Sequence, residues 1–156
     1  MKEVINAFKN INITYLNGKN IQFNDYEIFI NHNDEDNWVV LDKNSVGSYS
    51  KVLLRFRNKK LNNEFYTFLE SVSFIADMEN IDIKTFSSQN FYKKAKKTKN
   101  QRGELAELKK KMREISSNQH FGWIIDEVIE MDELENSYFI CLMKNLLNIE
   151  EVENYE

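Results

Sequence analysis

The chain has 156 residues and a mass of 18.6 kDa, with 42% hydrophobic and 29% charged side chains and a net charge of −4. That length sustains a full core without metal or disulfide, and the lone Cys141 excludes an internal disulfide and a cysteine-based zinc cluster. No run of 18 apolar residues exists, which excludes a membrane-spanning helix, and the stretch 1–6 lacks a basic-then-apolar leader pattern, so the expected location is the cytoplasm.

Val4, Ile5 and Phe8 share one helical face and predict a short N-terminal helix. Ile11, Ile13 and Tyr15, then Ile21 and Phe23, alternate around Leu16, Asn17 and Gly18. A two-residue Asn17-Gly18 loop would send apolar residues to both faces of the hairpin. A three-residue loop with Gly18 left-handed pairs Ile13 with Ile21 and Ile11 with Phe23, and the apolar pattern selects it. Tyr26, Ile28 and Ile30 with Trp38 and Val40 predict a second hairpin, closed by the polar loop 32–37. Val52, Leu54 and Phe56 alternate with Leu53, Arg55 and Arg57 and predict a further strand.

Beyond residue 60 the spacing changes. Leu61, Phe65, Phe68, Leu69, Val72, Ile75 and Ala76 follow steps of three and four and predict a helix, with Asn62 or Asn63 as its cap. Phe91, Ala95 and Thr98 suggest a short basic helix. Leu105, Leu108, Met112 and Ile115 predict a clearer one, supported by Glu107 and Lys111 one turn apart. A fourth is expected over 118–131, and a fifth from Asp132, where Asp132 and Glu135 resemble a capping box. The expected fold is a single α+β domain over 1–156. A short helix and a four- to five-stranded antiparallel sheet would occupy 1–60, and four to five helices packed on that sheet would occupy 61–156.

Charge is set out in blocks. Residues 93–113 hold ten basic and two acidic side chains, a net of +8; residues 114–156 hold one basic and eleven acidic, a net of −10. Asn, Lys, Ile and Phe are abundant while Gly, Ala, Arg and Pro are scarce, a bias toward AT-rich codons that places the gene in an AT-rich bacterium, or in its phage or plasmid.

Residue types with catalytic or metal-binding potential are sparse. His32 and His120 are the only histidines, and Cys141 sits among Ile140, Leu142 and Met143 as a buried hydrophobe would. Asn31, Asn33, Glu35 and Asp42 take calcium-loop spacing, yet Asp36 stands where the loop needs glycine and no bidentate Glu closes it. Acid-x-Lys pairs at Asp82/Lys84 and Glu107/Lys109 are no more frequent than chance, and glycines are too scattered to cradle a phosphate. No catalytic set, metal or cofactor is therefore expected.

Surfaces carry the functional expectations. On a helical wheel Phe121, Ile124, Ile125, Val128, Ile129 and Met131 share one half, and Asp126, Glu127, Glu130 and Glu133 fall opposite, with Trp123 among the acids. A tryptophan ringed by carboxylates suits docking on a basic partner. The leading expectation is a non-enzymatic inhibitor or regulator that occupies the basic nucleic-acid-binding surface of a nuclease or nucleoprotein complex. In small size, acidity and codon bias the chain is similar in general profile to phage-encoded inhibitors of bacterial defence such as anti-CRISPR proteins; an immunity protein for a nuclease toxin has the same physics. The alternative is a nucleic-acid-binding regulator using Lys93, Lys94, Lys96, Lys97, Lys99, Arg102, Lys109 and Lys110, with Phe91 and Tyr92 stacking on unpaired bases. The last helix, 133–148, is apolar nearly all round and is either core or a homodimer surface.

Overall fold

The computed structural model describes residues 6–33, 35–97, 102–117 and 124–156. They form nine strands and two helices: β1 (Asn10–Thr14), β2 (Asn20–Phe23), β3 (Glu27–Asn31), β4 (Val39–Val40), β5 (Val46–Asn58), β6 (Asn63–Ala76), β7 (Asn80–Lys84), β8 (Phe91–Lys94), α1 (Arg102–Ser117), α2 (Ile125–Leu147) and β9 (Ile149–Val152). The chain gathers into two compact units, one of Met1–Lys94 with Glu150–Glu156 and one of Ala95–Ile149.

The first unit is built on a mixed sheet in the order β2-β1-β7-β6-β5-β3-β4, with β8 pairing both β6 and β9. Every pairing with a recorded register is antiparallel except that of β1 with β7, which is parallel. The first hairpin has the register its apolar pattern requires, Ile11 opposite Phe23 and Ile13 opposite Ile21, and Gly18 supplies the left-handed residue at φ 81°. Inward side chains of β1, β2, β7, β6, β5 and β3 make one core, including Ile11, Ile13, Phe56, Phe65, Ile81 and Ile83, each 2% exposed or less.

The expected short helix and small sheet beneath four to five helices are corrected here. Residues 63–76 are a strand, paired along their length with β5 from Val46 opposite Ile75 to Asn58 opposite Asn63. Residues 91–94 are a strand, not a basic helix, with Tyr92 opposite Tyr66. Phe8 bridges Tyr26 across the sheet rather than lying on a helix; the rest of the predicted N-terminal helix, at Val4 and Ile5, lies outside the described residues. The two helices expected on either side of Asp132 are one continuous α2, whose N-terminus is Ile124 with no side-chain cap.

The long β5–β6 hairpin changes faces midway. Phe65 and Leu69 point into the core on one side of Ser71, and Val72, Phe74 and Ala76 on the other. β5 does the same around Ser50: Val52, Leu54 and Phe56 are core, while Gly47 and Tyr49 lie against Phe74. Tyr49 opposite Val72 and Lys51 opposite Glu70 keep the register intact, so the switch is absorbed by backbone angle, with Ser71 at φ 45°. Gly47 is needed there: a Cβ would stand 2.7 Å from two ring atoms of Phe74.

The N-terminal half of β6 is buried on both sides. Opposite the core, Tyr66 and Phe68 lie with Phe29, Trp38, Arg55 and Arg57 in a mixed layer. The Arg55 guanidinium stands 4.4 Å from the Phe29 ring and 5.1 Å from Trp38, and Arg57 lies 4.9 Å from Phe29. Glu64 accepts the Tyr66 hydroxyl at 2.9 Å, and burial followed by the Glu64 charge pushes that phenol well above its ordinary range.

Candidate functional site

The second unit is a helical hairpin. α1 presents Leu105, Leu108, Met112 and Ile115 as a half-buried stripe, and none of its residues is fully buried. The facing side of α2 carries Met131, Glu135 and Tyr138, which with Lys109, Met112, Arg113 and Ser116 of α1 line an open cleft of about 620 Å3. Lys109 sits 5.7 Å from the Tyr138 ring, so its charge is engaged within the hairpin. Near the other end of the hairpin, burial and then the Glu104 carboxylate push the Cys141 thiol up from its ordinary range, which favours the neutral thiol over the thiolate.

At 100° per residue, a second face of α2 runs through Ile125, Val128 and Ile129, then Asp132 and Asn136, to Phe139, Met143 and Leu147. Its C-terminal part is buried, with Phe139, Met143 and Leu147 at 7%, 0% and 5% exposure. Its N-terminal part is bare: Ile125, Val128 and Ile129 are 78%, 51% and 53% exposed, and Ile124 just ahead is 60% exposed. Two apolar stretches thus lie along one line of the helix, the C-terminal one covered and the N-terminal one exposed, with Asp132 and Asn136 between them.

Three of the four predicted carboxylates flank that strip. Asp126, Glu130 and Glu133 fall together along one side of it and are exposed. Glu127 falls on the other side, toward the Met131 and Tyr138 face, half-buried, with one carboxylate oxygen buried and unpaired among the described residues. Trp123, the predicted anchor, lies outside the described residues. The bare isoleucines were legible as an apolar face; their exposure was not, because hydrophobic periodicity does not say which part of a face finds a partner. Of the predicted dimer helix 133–148, Phe139, Cys141, Met143 and Leu147 are buried in this chain.

The basic segment is dispersed. Lys93 donates to Asn63 Oδ1 at 2.8 Å, Lys94 stands 5.8 Å from the Tyr66 ring, Lys96 and Lys97 are exposed in a bend after β8, and Arg102, Lys109 and Lys110 are on α1. Lys99 lies outside the described residues. Phe91 and Tyr92 are buried at 2% and 6%: Phe91 packs on Phe65 and Tyr155, and Tyr92 on Phe68, with its hydroxyl on Glu151. Neither ring is open to a base.

The remaining candidates stay apart. The His32 ring stacks on Tyr49 at 5.6 Å in an exposed loop, and His120 lies outside the described residues. Asn31 and Asn33, from the calcium-type spacing, organise their own loop: Asn31 donates to the Glu35 carbonyl and accepts the Asn33 N–H. Among the described residues no group of three or more His, Cys, Asp or Glu side chains is placed to hold a metal ion, and no helix is long and apolar enough to cross a membrane.

Comparison with known proteins agrees with a two-part chain. Residues 10–90 match the family model described as UU051 N-terminal domain, and residues 102–152 match that described as Uncharacterised protein UU051 C-terminal domain. The chain is similar to the Uncharacterized protein UU051 of Ureaplasma parvum serovar 3, 26% identical over 153 residues, covering 94% of this chain and 90% of the relative.

Proposed function

This chain belongs to the UU051 family, and from that premise we propose that it is a non-enzymatic binding protein of the bacterial cytoplasm whose docking surface is the N-terminal half of α2. One observation carries the reading: along one line of α2, Phe139, Met143 and Leu147 are covered while Ile125, Val128 and Ile129 are bare. Neighbouring exposed aliphatic side chains on a helix are a docking feature, and covering each would contribute about 1 kcal/mol or more. Asp126, Glu130 and Glu133 beside the strip favour a partner with Lys or Arg around an apolar anchor. A nuclease or nucleoprotein complex that grips nucleic acid has such a surface, and an inhibitor of a host-defence nuclease or an immunity protein for a nuclease toxin would use this strip in the same way. The alternative reading through the lysines of 93–110 is weaker, because Phe91 and Tyr92 are committed to packing.

The test is capture of a partner from the native host with the wild-type chain and with Val128→Glu/Ile129→Lys. The double variant is expected to lose the partner while its thermal unfolding is unchanged, since both side chains are already exposed. Asp126→Lys/Glu130→Lys is expected to slow association and flatten its salt dependence. Retention of the partner by the Val128/Ile129 variant would refute the assignment.

A further inference from the structure

We propose that the outward face of β2, β1, β7 and the adjoining halves of β6 and β5 binds a neutral polyhydroxylated ligand, an oligosaccharide, with Phe86 as its stacking platform. This face belongs to the first unit and shares no residue with the α2 strip, so the two proposals stand or fall separately.

The face is a connected amide ladder. Gln22 Nε2 donates to Asn20 Oδ1 at 3.4 Å, Asn20 donates to Asn12 Oδ1 and to Thr14 Oγ1, and Asn12 donates to Asp82 Oδ1 at 2.8 Å. Beside this chain Asn10 donates to Asn80 Oδ1 at 2.7 Å. The first chain of donors ends on Asp82, and the second ends on Asp77, whose Oδ2 accepts Asn80 Nδ2 at 3.3 Å, so each amide is fixed in orientation by its neighbour. Each still has an N–H or a lone pair to offer, because an amide has two donors and two acceptor sites. On the adjoining strands Ser73 and Ser71 of β6 and Ser48 and Ser50 of β5 add exposed hydroxyls. Asn10, Asn12, Gln22, Asn80 and Asp82 border a shallow depression of about 510 Å3, within the roughly 300–1,000 Å3 of small-molecule sites.

Phe86 completes the surface. On β7 the outward positions are Asn80, Asp82 and Lys84. The backbone stays bonded one residue further, where Thr85 donates its N–H to Thr14 O at 3.0 Å. Thr85 is buried and Phe86, the next outward residue, is 68% exposed. An open phenyl ring two residues beyond Lys84, at the opposite end of β7 from the depression, with a row of amides leading toward it, offers what an extended sugar chain takes: a flat apolar surface for a C–H face and paired donors and acceptors for vicinal hydroxyls.

Other ligand classes fit less well. Lys84 and Asp82 are the charged side chains on these outward strand positions and Asp77 also lines the depression, so a polyanion would find one cation and two repelling carboxylates. Trp, Tyr and Arg, which anchor protein hot spots, do not occur at these outward positions, and Ile75 and Val46 are too few for a lipid surface. Codon bias does not account for the face either. Asn and Lys have equally AT-rich codons and are both abundant in the chain, at 21 and 17, yet this face takes Asn repeatedly and Lys once.

The test applies the full chain to an array of neutral glycans, then titrates the isotopically labelled chain with the hexasaccharides that bind. Saturable shifts centred on the amides of Asn12, Asn80 and Asp82 are expected. Phe86→Ala and Asp82→Asn should each weaken binding about tenfold or more, with circular dichroism unchanged because both side chains are exposed. Absence of binding across the array overturns the proposal. So does binding that Phe86→Ala leaves intact, or saturation of these amides by a nucleic acid or by a second copy of the chain instead.

Discussion

Asp77 shows how one exposed side chain can set a turn and its pH response. It follows β6, and its Oδ1 accepts the N–H of Glu79 at 2.8 Å and of Asn80 at 2.6 Å. Those two backbone donors, first Asn80 and then Glu79, hold its carboxyl below the ordinary range. A carboxylate with a depressed folded pKa contributes stability that is present above the unfolded value of about 3.9 and lost as pH falls through the folded value. Urea unfolding from pH 7 to pH 2 should therefore show Asp77→Asn less stable than wild type at neutral pH, with the gap closing only below about pH 4. A gap that is constant with pH would mean the turn does not depend on the charge.

At the scale of elements, Ser71 is the residue on which the long hairpin turns. Its φ of 45° is one that L side chains adopt at a cost, and a β-branched side chain adopts it worst. Ser71→Val is expected to lower unfolding stability by about 1–2 kcal/mol, and Ser71→Gly to leave it level or raise it slightly, as measured by urea denaturation. If valine were tolerated, the face switch would have to be relieved elsewhere in the hairpin.

The same switch explains why β6 was misread. Along a regular strand, core residues recur every second position. Around Ser71 they step from Leu69 to Val72, and with Phe65 and Phe68 this imitates the three- and four-residue spacing of a helix. Burial of Tyr66 and Phe68 on the second face removes the polar alternation that marked the first hairpin. The countersignal was composition: Phe, Tyr, Thr, Val and Ile crowd this stretch, residues that favour pleated structure. By contrast, β1–β2 could be read to the register because one face is wet and Gly18 fixes the loop, and α1 because its apolar stripe is narrow. The capping-box pattern at Asp132 misled because a short motif also occurs by chance inside a continuous helix. At the candidate docking strip, the carboxylates Asp126, Glu130 and Glu133 were legible as a group. The amide ladder was not, since it unites residues up to 70 positions apart through a parallel pairing that nothing local encodes.

For the molecule as a whole, the first unit draws on both ends of the described chain. Residues 150–156 return to it after the helical hairpin. The Tyr155 ring lies 5.1 Å from Phe65, 5.3 Å from Phe23 and 5.6 Å from Phe91, and its carbonyl accepts Asn63 Nδ2 at 2.8 Å. Tyr155→Ala should cost about 2–4 kcal/mol in urea unfolding, and Tyr155→Phe much less, since the packing belongs to the ring. Equal losses in the two variants would assign the effect to the hydroxyl.

That returning segment has a consequence for biosynthesis. A ribosome makes β1 to β8 well before residues 150–156, yet Phe23, Phe65 and Phe91 acquire their Tyr155 neighbour only from that later stretch. The nascent sheet must therefore wait, with its aromatic interior incompletely covered, while the 55 intervening residues of Ala95–Ile149 are translated.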